Sequence, residues 1–245
     1  MIKSFVLMMQ FFTRLPINIE IDVKRETVIK GTVFLPLIGM IVGFGSYLAY
    51  YIAGLINRDA AALAAVIVMF LITGGLHVDG LSDTTDGFFS ARSKDRILEI
   101  MKDSRVGSFG VIAIVFDILA KYVLIKNTSP DIAAYSLILS CGCARSSMSL
   151  LFGIGKSARP GGMGDMFLNK GSFKYFIASS LIFGIIGFYM AGYVFMISFF
   201  ACLLLSLLMM MKSDRIIGGL TGDVFGTICE LAEILSLAIF MGVRI

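Results

Sequence analysis

With 245 residues, 58% of them hydrophobic and only 16% charged, and a mean hydropathy of +0.91, the chain is too apolar for an ordinary soluble domain. It reads as one all-α domain over 1–245, a polytopic helical bundle in a membrane; no polar stretch could bury a core of its own, which excludes a soluble module. The formal net charge of +4 informs through its distribution rather than its size, and no nucleic-acid partner is expected.

The first element is a short apolar run, Phe5 to Phe12, behind Lys3. Gln10, Thr13 and Arg14 break it and no small-residue cleavage pattern follows, so an interfacial helix is expected rather than a signal peptide. Crossing a ~30 Å hydrocarbon core takes roughly 20 apolar residues. Candidate spans follow at 31–56, 60–76, 107–126, 131–152, 174–191, 194–211 and 228–243. The second and seventh are short, and only Gly192 and Tyr193 part the fifth from the sixth, so about six to eight spans are expected. Between the second and third lies the longest polar stretch, 77–106. Its second half, Ser93 to Asp103, alternates Ile97, Leu98, Ile100 and Met101 with charges, as a cytoplasmic amphipathic helix does. Cys141, Cys143, Cys202 and Cys229 fall inside spans without metal-ligand spacing and read as packing residues. The 26 glycines are dispersed, which suits close helix packing and is compatible with a homodimer or larger homo-oligomer.

With the N-terminus inside, 16 of the 21 Lys and Arg fall on one side of these spans. Arg58, Lys126 and Arg244 fall on the other, while Lys121 and Arg145 lie within spans. Basic residues accumulate in short cytoplasmic loops. The charged, glycine-punctuated loops are therefore expected on the cytoplasmic face of a cell membrane, where segments distant in sequence can share one site.

The most informative segment is Gly74–Gly87, which holds His77, Asp79, Asp83 and Asp86. On a helix, steps of four and three residues place the three carboxylates within an arc of about 60°. Like charges so crowded beside a low-dielectric phase protonate or bind a cation, and Mg²⁺ suits carboxylate oxygens. The alternative is a helix end that reaches water, but Gly74, Gly75, Gly80 and Gly87 bring more backbone freedom than that needs. His77 is expected to support the substrate. Further along, Arg92, Lys102 and Arg105 gather beside the acids as phosphate-gripping candidates, the alternative being a positively charged membrane anchor. Two more glycine-rich loops follow, one with Arg159 inside Lys156–Asp165, the other Gly218–Gly226 with Thr221 and Asp223. Carboxylates in or near a bilayer cost about 2.5–3.5 kcal/mol each. Asp223 and Glu230 are therefore expected to face the interior or a wet cavity, and Asp117, Lys121 and Arg145 to pair with structural roles.

At these residues the sequence resembles the cobalamin synthase family, the membrane-bound adenosylcobinamide-GDP ribazoletransferases. The resemblance runs through Phe11–Pro16, Phe34–Gly39, Gly74–Gly87, Met101–Gly110, Ala158–Gly164 and Gly218–Gly226. It implies that adenosylcobinamide-GDP is joined to α-ribazole or its 5′-phosphate with release of GMP, and that the reaction needs Mg²⁺. Asp79, Asp83 and Asp86 would then hold one or two metal ions on the pyrophosphate, and Asp103 or Asp223 would complete the site or act as base. Arg92 and Arg105 would neutralise phosphate charge; Arg14, His77, Lys102, Arg159 and Thr221 would be further substrate contacts. There is a partial likeness to CDP-alcohol phosphotransferases in Asp83-Thr84-Thr85-Asp86-Gly87, although three residues rather than two precede Ala91-Arg92. A CDP-alcohol enzyme or prenyltransferase is thus the alternative within the class. A transporter is the alternative outside it, and the absence of an evident repeat weighs against that.

Overall fold

The computed structural model describes residues 1–242; the end of the last expected span, at 243, and Arg244 lie outside them. Helix α1 (Ile2–Phe12) and helix α2 (Arg25–Gly31) precede a 3₁₀ turn, Thr32–Phe34, that runs into α3 (Leu35–Gly54). Pro36 stands in the first turn of α3, where its missing N–H has no intrahelical partner to lose. Helix α4 (Arg58–Thr73) starts on Asn57, whose side chain accepts from the Ala60 N–H at 2.8 Å.

The second expected span ends earlier than its apolar run. Gly74 and Gly75 both adopt positive φ, 64° and 72°, a conformation open to glycine at little cost. They turn the chain by 89° into α5 (Leu76–Phe89), which carries the aspartates. The amphipathic helix is α6 (Lys94–Ile100), shorter than the pattern suggests, with Ile97 buried. Two long helices follow, α7 (Ser108–Asn127) and α8 (Pro130–Ile154). Two 3₁₀ turns, Met163–Phe167 and Lys170–Ser172, lead to α9 (Phe173–Ile217), and α10 (Gly222–Gly242) ends the described chain.

Helix α9 is two helices folded at Gly192, whose φ of 56° and ψ of −138° are not helical. Phe183 packs edge-on against Phe195 at 5.1 Å and Phe199 at 6.0 Å. In a straight helix the first of those pairs would sit about 18 Å apart, so 173–191 and 193–217 lie back to back, as the fifth and sixth expected spans. Among the described residues, five helices are long and apolar enough to cross a membrane, six if the bent pair of α4 and α5 counts as one. The fold in α9 adds one more crossing, which agrees with the expected six to eight. The described residues contain no strand, only a bridge between Ser157 and Leu220.

Helix α8 is the buried centre of the bundle and packs against α3, α9 and α10. Charges within it are paired. Lys121 of α7 reaches Asp117 at 3.3 Å and Glu233 at 2.8 Å, and also pairs with Glu230. Glu233 in turn pairs with Arg145 of α8. Isolated charges are very costly away from water; two cations shared among three carboxylates offset most of that cost between α7, α8 and α10 and leave one acid in excess. At the opposite end from the glycine-rich loops, Asp59 ties the start of α4 to Lys126, at 2.6 Å, and to Tyr122 near the end of α7.

Candidate active site

The loops expected on one face meet at one end of the bundle. The Arg14 N–H donates to the Ile72 carbonyl at 2.6 Å, which ties the end of α1 to the end of α4, and the Arg14 side chain lies over Gly74. Two further backbone bonds join distant loops: the Ala158 N–H donates to the Leu220 carbonyl at 2.9 Å, and the Leu220 N–H to the Lys156 carbonyl at 2.8 Å. Arg159 is thereby carried to the start of α10. Its Nη1 lies 3.7 Å from Asp223 Oδ2 and its Nη2 donates to the Leu98 carbonyl at 3.1 Å. The Nε of Arg159 is buried with no partner among the described residues.

Helices α5 and α10 cross where glycine replaces side chain. A Cβ added to Gly80 would stand 2.7 Å from the Asp223 carbonyl oxygen, and one added to Gly226 would stand 2.9 Å from the His77 carbonyl oxygen. Thr227 Oγ1 rivets the crossing, within 3.1 Å of the Gly80 carbonyl and 3.0 Å of the Asp223 carbonyl. Asp223 thus faces the aspartate helix from the first turn of α10. Thr221 caps that turn: its hydroxyl accepts from the Val224 N–H at 3.3 Å and donates to Asp223 at 3.2 Å.

Within α5, the three aspartates differ in what they touch. Asp86 accepts the Gly107 N–H at 2.7 Å and the Gly110 N–H at 2.9 Å, so both of its oxygens cap the start of α7. Asp79 is exposed and Asp83 half-buried. Among the described residues, neither carboxylate accepts a hydrogen bond or joins an ion pair. The charges acting on Asp83 are Asp79, Asp223 and Asp86, with Arg159 opposing them. Acid is in excess here, and oxygen donors are uncommitted.

This donor set fits a hard divalent cation. Among the described residues, no three His, Cys, Asp or Glu side chains converge tightly enough to ligate one ion by themselves. Mg²⁺ is commonly held by one or two carboxylates, with substrate phosphates and water supplying the rest of the shell. The uncommitted carboxylates of Asp79 and Asp83 suit that manner of binding. Asp86 keeps lone pairs beyond its two backbone bonds.

A family model described as cobalamin-5-phosphate synthase matches residues 4–241. The chain belongs to that family. Proteins named adenosylcobinamide-GDP ribazoletransferase are similar along nearly their whole length. That from Clostridium novyi (strain NT) is 40% identical over 239 residues, 95% of this chain and 94% of that protein. That from Clostridium tetani (strain Massachusetts / E88) is 37% identical over 243 residues, 98% of this chain and 96% of that protein. A third, from Caldanaerobacter subterraneus subsp. tengcongensis, is 34% identical over 248 residues, 98% of each chain. No solved structure matches the chain.

As a member of the cobalamin-5-phosphate synthase family, the chain brings Asp79, Asp83, Asp223, Thr221 and Arg159 into one neighbourhood. His77 lies beneath it, 2% exposed, with Nδ1 3.4 Å from Arg145 Nη2. The other expected residues sit further out. Arg92 and Lys102 are exposed and make no ion pair among the described residues. Asp103 is engaged by Arg105, at 2.7 Å and 3.0 Å, and that guanidinium holds its carboxyl down at about 2. Sequence reasoning missed a pocket beside Asp79 and Asp223, lined by Phe12, Phe152, Phe167 and Phe225. These four come from three helices and a 3₁₀ turn, and in the sequence they are indistinguishable from ordinary core residues.

Proposed function

We propose that the chain joins adenosylcobinamide-GDP to α-ribazole, or to its 5′-phosphate, and releases GMP, at a site on the cytoplasmic face of a membrane. Family membership over residues 4–241 and the names of the relatives support the reaction. The meeting of the glycine-rich loops at the end of the bundle that bears most Lys and Arg supports the location. The observation that carries the reading is the pair of uncommitted carboxylates, Asp79 and Asp83, opposite Asp223 and Arg159.

In this reading a ribose hydroxyl of the ribazole forms the new O–P bond, and the P–O bond to GMP breaks. Asp223 takes the hydroxyl proton. It is better suited than Asp103, whose bond to Arg105 makes it a weak base. Arg159 neutralises charge on the phosphates, with Arg92, Lys102, Arg105 and Arg14 around the rim. Asp79 and Asp83 would hold Mg²⁺, with Asp86 as a third donor. When bound, the ion screens the pyrophosphate and stabilises charge that gathers on the departing nucleotide. Positioning accounts for the rest of the catalysis, and the glycine crossing of α5 and α10 supplies it.

The experiment is turnover by the purified chain. GMP and a corrinoid product from adenosylcobinamide-GDP plus α-ribazole are expected. A folded protein that turns over only a CDP-lipid or a prenyl diphosphate would overturn the substrate reading.

A further inference from the structure

We infer that His77 is a positioning residue for the proposed reaction: its Nδ1, braced by Arg145 in the centre of the bundle, fixes the roll and tilt of α5 and thereby the places of Asp79 and Asp83. The inference rests on the reaction proposed above, while the brace itself can be read without turnover.

A brace is needed because the entry to α5 supplies little direction. The joint is Gly74-Gly75, both at positive φ, and no side chain caps the first turn of α5. Two glycines permit many bend angles at similar cost, so contacts beyond the joint must select the observed 89°. They converge on His77, the second residue of α5. Its ring lies nearly parallel to Phe12 of α1, at 20° and 6.0 Å between centroids. Its backbone backs onto α10, where a Cβ added to Gly226 would stand 3.1 Å from the His77 Cα. Its Nδ1 meets Arg145 Nη2 of α8 at 3.4 Å.

The contact with α8 is the polar one of the three, and Arg145 is itself held still. Arg145 is 1% exposed. Its Nη1 pairs with Glu233 of α10, which Lys121 of α7 holds at 2.8 Å. A guanidinium is a rigid planar fork, so fixing Nη1 fixes the direction of Nη2. It only donates, so the neutral imidazole accepts at Nδ1. Through Lys121, Glu233 and Arg145, helices α7, α10 and α8 thus act on α5 at a single nitrogen. An apolar side chain at position 77 would fill the same space without sensing that direction.

Helix geometry turns the brace into a lever. Asp79 and Asp83 stand about 160° and 120° around α5 from His77. The ring therefore points into the bundle, where it is buried, while the carboxylates turn toward the site. Side-chain tips lie about 5–6 Å from a helix axis, so a roll of about 10° moves each carboxylate by about 1 Å. Misplacement on that scale costs on the order of 100-fold in rate.

The test compares His77→Leu, which keeps the bulk and removes the acceptor, with His77→Asn, which keeps an oxygen near the Nδ1 position. GMP release from adenosylcobinamide-GDP and α-ribazole is normalised to folded protein, and hydrogen exchange at the amides of residues 78–83 is followed without substrate. His77→Leu is expected to lose at least about tenfold in kcat, with both KM values within about threefold of wild type, and to exchange faster at those amides. His77→Asn is expected to recover most of the rate and of the protection. Where His77→Leu does not fold, His77→Gln, whose carbonyl stands one bond further out, replaces it with the same expected losses. A folded His77→Leu with kcat within about twofold of wild type overturns the positioning role and leaves His77 a packing residue. Equal losses in His77→Leu and His77→Asn overturn the contact with Arg145 as its cause, and unaltered exchange overturns the brace. If wild type releases no GMP, the proposed reaction fails and the positioning role fails with it, while the exchange measurement still decides the brace.

Discussion

Gly80→Ala should slow the reaction without unfolding the protein. The added methyl would stand 2.7 Å from the Asp223 carbonyl oxygen and 2.9 Å from Asp223 Cα. Carbon atoms pack at about 3.5–4.0 Å, so α10 must retreat from α5 by roughly 0.6–1.1 Å at this point. The atoms displaced belong to Asp223 itself, so the shift falls on its carboxylate and on the Thr227 bond to the Gly80 carbonyl. Overpacking of this kind costs about 1–3 kcal/mol, a fraction of the stability of a typical domain. A misplacement near 1 Å costs on the order of 100-fold in rate. The assay is initial GMP release at saturating substrates, beside a melting curve in the same detergent. We expect kcat to fall about 100-fold with a folded protein. Gly184→Ala is the control, since its Cβ would meet nothing within 4 Å. Gly80→Ala turning over within about twofold of wild type would refute the claim that this helix crossing sets the catalytic spacing.

Three further outcomes are expected. Glu233→Gln removes the acid that joins Lys121 to Arg145, and breaking such a buried pair costs about 3–5 kcal/mol; an unchanged melting temperature in detergent would show that the pairing does not hold the bundle. Asp86→Ala removes the cap of α7, at a cost of about 0.5–2 kcal/mol, and should raise hydrogen exchange at the amides of Gly107 and Gly110; unaltered protection there would contradict the capping role. Arg159→Lys replaces a fork that reaches both Asp223 and the Leu98 carbonyl by a point charge, so the KM for adenosylcobinamide-GDP should rise about tenfold, and an unchanged KM would take Arg159 out of phosphate binding.

Much of this arrangement was legible in the sequence because it follows from solvent. Apolar runs long enough to cross a bilayer mark the helices, and the one-sided Lys and Arg bring the loops of Asp79, Arg159 and Asp223 to one end. Gly192 reads as a break between two spans and is a reversal of the chain. The 89° bend at Gly74 and Gly75 was not legible. Hydropathy measures the length of an apolar run and says nothing about the φ angles that end it. Asp86 shows a second limit: its 60° arc with Asp79 and Asp83 follows from helix geometry, while its bonds to Gly107 and Gly110 depend on where α7 begins. The pocket of Phe12, Phe152, Phe167 and Phe225 shows a third, because only tertiary packing separates a lining phenylalanine from a core one. In the same way, the pairing of Asp103 with Arg105 leaves Asp223 as the base in our reading, a choice that the residue types alone left open.

The central claim is that the α5 carboxylates support metal-dependent transfer, and Asp83→Asn tests it most directly. Purified wild type and variant are given adenosylcobinamide-GDP and α-ribazole, with Mg²⁺ or with a chelator, and GMP release is followed. The account predicts Mg²⁺-dependent release and a corrinoid product from wild type, and no release from Asp83→Asn although it is inserted and folded. Full activity in Asp83→Asn, or wild-type release that persists in chelator, would contradict it.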